Sequence, residues 1–128
     1  MKYLTKDEVL DLHAYAVTRY GGRLGIASQD RLSTAIDAPR QHMFGAELYP
    51  DLPSKAAAVT FLLLKSRPFL GANETCALLV LLRFLEINGA RLDAGDAELV
   101  RIVRAINLSD LDREGLEIWL RENLVTYA

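Results

Sequence analysis

One apolar segment restricts the fold of this chain more than any other part of the sequence. It begins at Asn73, a few residues after Pro68, and runs to about Asn88, with Gly89 just beyond it. A helix over this segment carries apolar side chains on almost every face, namely Ala77, Leu78, Leu79, Val80, Leu81, Leu82, Phe84, Leu85 and Ile87. A helix of this kind is enclosed by its neighbours instead of lying on the surface. We therefore predict a bundle with the helix of residues 74–88 at its centre, capped by Asn73.

Local capping signals predict five further helices. Thr5 and Glu8 have the spacing of a capping box, and the helix that they open is expected to end at Gly21. Ser28 is expected to cap a second helix that runs through Ile36. The remaining predicted helices run from Asp51 or Ser54 to about Ser66, from Asp93 or Gly95 to Asn107, and onward from the capping pair Ser109 and Asp112.

The composition agrees with one small helical domain over residues 1–128. The net charge is −2, whereas a nucleic-acid-binding protein needs a clustered positive excess. The apolar runs 56–64 and 77–82 are far below the ~20 residues that span a bilayer. The N-terminal residues are too polar for a secretory signal. We therefore expect an all-α protein of the cytoplasm, with no nucleic-acid and no membrane partner.

The loop in front of the central helix reads Arg67-Pro68-Phe69-Leu70-Gly71-Ala72-Asn73-Glu74-Thr75. A loop that delivers the chain to the start of a buried helix points free backbone amides forward, and with the helix dipole these amides attract anions such as phosphate. Over residues 67–77, however, the side-chain charges cancel, because Arg67 is balanced by Glu74. This balance argues against tight binding of a triphosphate.

This loop resembles the signature loop of the Fic/Doc family, in particular that of its death-on-curing (Doc) branch. Active members of the family read His-Pro-Phe-x-Asp-Gly-Asn-Lys-Arg-Thr, and here Pro68, Phe69 and Asn73 match. The resemblance covers nearly the whole chain in order, through Tyr20-Gly21-Gly22, Pro39-Arg40-Gln41, Gly45, Tyr49-Pro50-Asp51-Leu52 and Asn88-Gly89. It implies the compact Fic/Doc (Fido) bundle of about six helices. It also implies a flap over residues 40–49, often a short hairpin, whose candidate partner contacts are Arg40, Gln41 and Phe44.

The resemblance also assigns chemistry to four positions of the loop. In active relatives the histidine accepts the proton of a target hydroxyl, the acid holds Mg²⁺, and the Lys-Arg pair binds phosphates. This chain has Arg67, Gly71, Glu74 and Thr75 at those positions. An arginine accepts no proton at physiological pH, and a glycine offers no oxygen ligand to a metal. We therefore expect no catalytic residue, metal site or cofactor, and we keep Arg67 and Asn73 as candidates for binding an anion or nucleotide.

Arg67 itself either pairs with a neighbouring acid such as Glu74 or binds an anion in the loop. Residues outside the four loop positions are candidates to replace the missing groups. His13 and His42 are more often packing or solvent-facing residues than displaced bases. Cys76 is expected to be a small buried residue, as free cysteines usually are. The acids that stay open as substitutes are Glu47 and Asp51.

The resemblance leaves three functions open. The first is a degenerate Doc-like protein in a toxin–antitoxin setting, where a small antitoxin lays a helix into a groove beside the loop. The second is an altered kinase or AMP-transferase that uses ATP and Mg²⁺ to modify a hydroxyl of a translation factor such as elongation factor Tu. The third is a structural or regulatory subunit that binds an active homologous toxin. Of these, we favour the first, without transferase activity.

Overall fold

A computed structural model describes residues 1–127 of the protein. These residues form six α-helices, which are α1 (Lys6–Tyr20), α2 (Gln29–Asp37), α3 (Leu52–Ser66), α4 (Asn73–Ile87), α5 (Asp96–Asn107) and α6 (Arg113–Asn123). A 3-10 turn, Ala38–Arg40, follows α2. The antiparallel strand pairs are β1 (His42–Met43) with β2 (Ala46–Glu47), and β3 (Ala90–Leu92) with β4 (Leu124–Thr126). The predicted compact bundle of about six helices with a short hairpin is confirmed.

Most predicted helix starts are confirmed by their side-chain caps. The Thr5 hydroxyl accepts from the Glu8 amide at 3.1 Å, and the Glu8 carboxylate accepts from the Thr5 amide at 3.1 Å. The Ser28 hydroxyl accepts from the Arg31 amide at 3.2 Å and opens α2. The start of α3 was predicted at Asp51 or Ser54, and the N-cap is Asp51. The start of α5 was predicted at Asp93 or Gly95, and the N-cap is Gly95.

Two predicted caps are wrong. Ala72, in a left-handed conformation with φ 57°, is the N-cap of α4, and Asn73 is the first helical residue. The Asn73 side chain turns back to the preceding loop instead of capping the helix. Asp112 alone caps α6 by accepting from the Gly115 amide at 2.7 Å. Ser109 lies outside that helix, and its hydroxyl accepts a hydrogen bond from Lys65.

The bundle has a central buried helix, as predicted, but α3 fills that place more completely than α4. Helix α3 contacts α2, α4, α5 and α6, and its residues from Pro53 to Thr60 are buried without interruption. The small side chains Ala56, Ala57 and Ala58 let its neighbours approach closely. Helix α4 buries one face against α1 and α3, whereas Leu82 on its other face is 39 % exposed. Leu81 and Leu82 are the same residue type, so the difference in their exposed fractions comes from the neighbours that pack beside each side chain.

The pairing of β3 with β4 was not predicted from the sequence. It brings the residues after α4 next to the residues after α6, with Arg91 opposite Val125. The Tyr127 amide extends this pairing by donating to the Gly89 carbonyl at 2.8 Å. Three-residue strands carry too little alternation to be recognised locally. Among residues 1–127, no helix combines the length and the apolar character that crossing a membrane requires.

Candidate functional site

The signature loop, residues 67–72, joins the end of α3 to the start of α4. Arg67 and Ala72 stand at its two ends, and both have left-handed backbone conformations, with φ of 47° and 57°. For residues other than glycine, such a conformation costs on the order of 1 kcal/mol or more. It persists only where surrounding contacts hold the backbone in place. The signature loop is therefore shaped by its neighbours and not by its own residues alone.

Asn73 holds the signature loop through its side-chain amide. The Phe69 amide donates to Asn73 Oδ1 at 3.0 Å, and Asn73 Nδ2 donates to the Phe69 carbonyl at 2.9 Å. Both bonds are buried, and this pair of bonds explains why asparagine stands four residues after Phe69. With the side chain so engaged, any anion at this residue would have to use the Asn73 backbone amide. Anion binding at Arg67 and Asn73 stays a prediction.

His13 supports the same loop from α1. Its ring is buried and stacks on the Phe69 ring, with centroids 3.7 Å apart and an interplanar angle of 11°. Its Nε2 lies 2.8 Å from the Gly71 carbonyl oxygen. Because that oxygen can only accept, Nε2 carries the proton and offers no lone pair to a substrate. His13 was predicted to be either a packing or a solvent-facing residue, and the structure shows packing; its contact with the loop is a role that the sequence reasoning missed.

A second segment, residues 22–28, runs along the signature loop, and we call it the strap. The Pro68 carbonyl accepts from the amides of Ala27 and Ser28 at 2.7 and 3.1 Å, and the Leu70 amide donates to the Gly25 carbonyl at 2.9 Å. A Cβ placed on Gly71 would lie 2.6 Å from the Arg23 backbone nitrogen. The strap therefore takes the space that a side chain at position 71 would need.

Arg67 and Glu74 face each other at the outer side of the loop. Arg67 Nη1 lies 3.5 Å from Glu74 Oε1, and each side chain is about half exposed. This confirms that Arg67 pairs with Glu74, one of the two alternatives for this residue. An exposed pair of this kind contributes at most ~1 kcal/mol, so an anion of higher charge could displace the carboxylate.

A groove lies between α4 and α5 next to the start of α4, and we call it the α4–α5 groove. It encloses about 330 Å³, and the loop positions Glu74 and Thr75 form one end of it. Its other lining residues are Leu78, Val100, Val103, Arg104, Asn107 and Leu108. Four of the eight lining residues are apolar, and the lining also includes one acid, Glu74, and one base, Arg104.

The flap is the hairpin of β1 and β2, residues 42–47, and of the three predicted partner contacts it includes Phe44. Phe44 lies at its tip, fully exposed, with a left-handed φ of 52°. The Gln41 carbonyl accepts from the Leu48 amide at 2.8 Å and closes the hairpin. Arg40 precedes the strands and places its guanidinium 4.7 Å from the centre of the Tyr3 ring. A role in partner binding for Arg40, Gln41 and Phe44 stays a prediction.

The two acids left open as substitutes, Glu47 and Asp51, both form ion pairs. Glu47 Oε1 accepts from Lys55 Nζ at 2.8 Å. Asp51 accepts two hydrogen bonds from Arg121, at 2.8 and 3.0 Å, and these bonds are the main cause that lowers the Asp51 pKa to about 2. His42 Nδ1 donates to the Arg40 carbonyl at 2.7 Å. None of these three residues contacts the signature loop through these bonds.

Cys76 lies in the first turns of α4 and is buried. Burial raises the pKa of its thiol to about 12, so the thiol stays protonated at neutral pH. The prediction that Cys76 is a small buried residue is confirmed. Within residues 1–127, no three residues of the types His, Cys, Asp and Glu converge in a way that would hold a metal ion.

Comparison with known protein sequences gives one family match and one similar toxin. Residues 3–85 match the sequence model of the Fic/DOC family, a region that includes α1 to α3, the flap, the signature loop and most of α4. Toxin Doc of Mycolicibacterium smegmatis is 31% identical over 93 residues, which cover 73% of this chain and 69% of that protein. This protein belongs to the Fic/DOC family.

Proposed function

We propose that this protein is a Doc-like member of a toxin–antitoxin type system that acts as a binding or regulatory module in the cytoplasm. In this proposal it transfers neither a phosphate nor a nucleotide fragment. Membership of the Fic/DOC family and similarity to a protein named Toxin Doc support the toxin–antitoxin setting. The main support for the loss of phosphate and nucleotide transfer is the packing of Gly71 against the backbone of Arg23 in the strap.

The residues of the signature loop do not fit a complex of ATP with Mg²⁺. Position 71 lacks the carboxylate, and the strap leaves no room for one. Glu74 brings negative charge to the start of α4, where a phosphate would meet repulsion, and its carboxylate already occupies Arg67. Thr75 adds no charge to offset this.

Two surfaces of the structure suit a binding role, the α4–α5 groove and the tip of the flap. The α4–α5 groove is lined by apolar side chains, including Leu78 and Val103, and by the charged residues Glu74 and Arg104. The apolar lining suits the apolar face of a partner helix, and the two charges suit polar residues beside that face. We propose a small antitoxin-like protein as the partner, or a homologous toxin as the alternative. The exposed tip of the flap at Phe44 offers a second contact.

One observation favours an altered enzyme as a second candidate function. Among the described residues, no side chain caps the amides at the start of α4, and Asn73 still holds the loop backbone in place. Free amides at a helix start attract phosphate even without lysine and arginine. The alternative is therefore an atypical kinase or AMP-transferase that uses ATP and Mg²⁺ to modify a protein hydroxyl, such as one of elongation factor Tu.

Transfer assays with labelled ATP separate the two functions. The protein is incubated with Mg²⁺, elongation factor Tu or a cell lysate, and ATP labelled either at the α- or at the γ-phosphate. We expect no label on any protein beyond that seen with heat-denatured protein. Label that depends on the folded protein would overturn the proposal and support the altered enzyme. Co-purification with the product of the neighbouring gene then distinguishes an antitoxin from a homologous toxin.

A further inference from the structure

Lys55 is a charged residue in the interior of the bundle. It belongs to α3, and its side chain is 2 % exposed. Its Nζ donates to the Pro39 carbonyl at 2.9 Å and to Glu47 Oε1 at 2.8 Å. The same nitrogen lies 5.7 Å from the centre of the Tyr3 ring. The two acceptors stand on either side of the flap tip in the chain, since Pro39 precedes β1 and Glu47 belongs to β2.

The stability of the bundle does not account for a lysine at this position. Transfer of an ammonium group from water to the interior is unfavourable, and an apolar residue of similar size often stabilises such a site equally or better. What Lys55 supplies, and an apolar residue would not, is a pair of directional bonds. Both bonds end on the base of the flap, which consists of Pro39 before β1 and Glu47 in β2.

The flap depends on contacts from outside itself. Each of its strands has two residues, and an isolated hairpin is at best marginally stable in water even with longer strands. The bond from the Leu48 amide to the Gln41 carbonyl closes the hairpin but does not attach it to the helices. The bonds of Lys55 provide that attachment, together with the contact of Arg40 with Tyr3.

We propose that Lys55 is a positioning residue that holds the flap, residues 42–47, against α3 in a single orientation. In this way it presets the direction in which Met43 and Phe44 present their exposed side chains. The inference rests on the proposed function only where it assigns the flap to partner binding. The attachment itself is measurable on the isolated protein, so its failure and that of the proposed function are distinguishable.

Amide hydrogen exchange measured by NMR on Lys55→Met tests this proposal. We expect the Leu48 amide to exchange at least about tenfold faster, while the amides of Val80 and Leu81 in α4 change less than about twofold. Lys65→Met is the matched control, because Lys65 lies on the same helix and donates to the Ile106 carbonyl and the Ser109 hydroxyl, away from the flap. We expect it to leave Leu48 exchange unchanged.

Variants of Glu47 test the same attachment without a change in the core. The Glu47 side chain is 42 % exposed, and without it the Lys55 ammonium keeps the Pro39 carbonyl as an acceptor. Glu47→Ala should accelerate Leu48 exchange more than the exchange of Val80 and Leu81, and Glu47→Gln should restore most of the protection because it keeps an acceptor for Lys55. Unchanged Leu48 exchange in Glu47→Ala would overturn the proposal. In the case that Lys55→Met does not fold, the result for Glu47→Ala alone decides the test. Uniform acceleration of all amides in folded Lys55→Met would also overturn it, because it would mean a general loss of stability.

Discussion

The backbone nitrogen of Arg23 stands 2.6 Å from the point where a Cβ on Gly71 would be placed. Cβ atoms essentially never come this close to another heavy atom, so either the strap or the signature loop must move before position 71 can hold a side chain. The glycine at position 71 is therefore coupled to the way in which two segments, distant from each other in the chain, pack together.

Gly71→Asp should lower the free energy of unfolding by about 1–3 kcal/mol, because the new Cβ forces the backbone apart. Urea denaturation measures this change. Gly95→Asp is the matched control, since a Cβ on Gly95 meets no atom within 4 Å and the residue is the N-cap of α5, where aspartate is favourable. Equal midpoints for both variants and the wild type would contradict the packing argument.

Glu74→Lys combined with Thr75→Arg should create binding of ATP where the wild type has none detectable. The two substitutions remove one negative charge and add two positive charges at the start of α4, and they free Arg67 from its ion pair. Isothermal titration calorimetry with ATP and Mg²⁺ measures the effect. Arg67→His alone should change nothing, because a base without a positioned phosphate has no substrate.

Glu122→Lys combined with Thr126→Arg is the charge-matched control for this double variant. It makes the same charge change on exposed residues of α6 and β4 and should leave the protein without ATP binding. Tight ATP binding by the wild type, or equal binding by both double variants, would mean that the start of α4 is not the site.

Asn73→Ala should cost about 2–4 kcal/mol of stability, because the buried amide and carbonyl of Phe69 both lose their partner. Thermal and urea denaturation measure the loss. Asn88→Ala is the matched control, since Asn88 makes a similar pair of bonds with the backbone of Lys2 in a partly exposed place. Water replaces those bonds, so we expect a cost below about 1 kcal/mol there. Comparable costs for the two variants would argue against a special role for Asn73.

Leu81→Ala should cost about 2–5 kcal/mol, whereas Leu82→Ala should stay within about 0.5 kcal/mol. The two residues are adjacent on α4, but Leu81 is 2 % exposed and Leu82 lies on the open face. Chemical denaturation of both variants gives the comparison. A large cost for Leu82→Ala would show that the open face of α4 is covered in solution, for example by a second copy of the chain.

The contribution of Asp51 to stability should disappear in acid. Its pKa is lowered from 3.8 to about 2, chiefly by the hydrogen bonds from Arg121. A lowered folded-state pKa stabilises the protein above about pH 4, and this stabilisation is lost as the pH falls towards 2. Urea midpoints of the wild type and Asp51→Asn should therefore differ most near neutral pH and converge between pH 4 and about pH 2. A difference that does not change over this range would be inconsistent with the ion pair.

The sequence alone was enough to predict the family, the helical class and most helix starts. These features depend on residues close together in the chain, such as Thr5 with Glu8 or Phe69 with Asn73, because capping and helical period are local properties. The same local signals misplaced two caps. Asn73 and Ser109 are good cap residues by type, but each side chain makes its bonds elsewhere in the fold.

Only the tertiary structure decided what surrounds the signature loop. His13 meets Gly71 across 58 positions of the chain, the strap lies over position 71, and Lys55 reaches the base of the flap. No periodicity or spacing marks these contacts, since they depend on how α1, α3 and the loops pack in three dimensions. The sequence determined which chemical groups the loop carries, and the packing of the backbone decided that the strap fills the space beside Gly71.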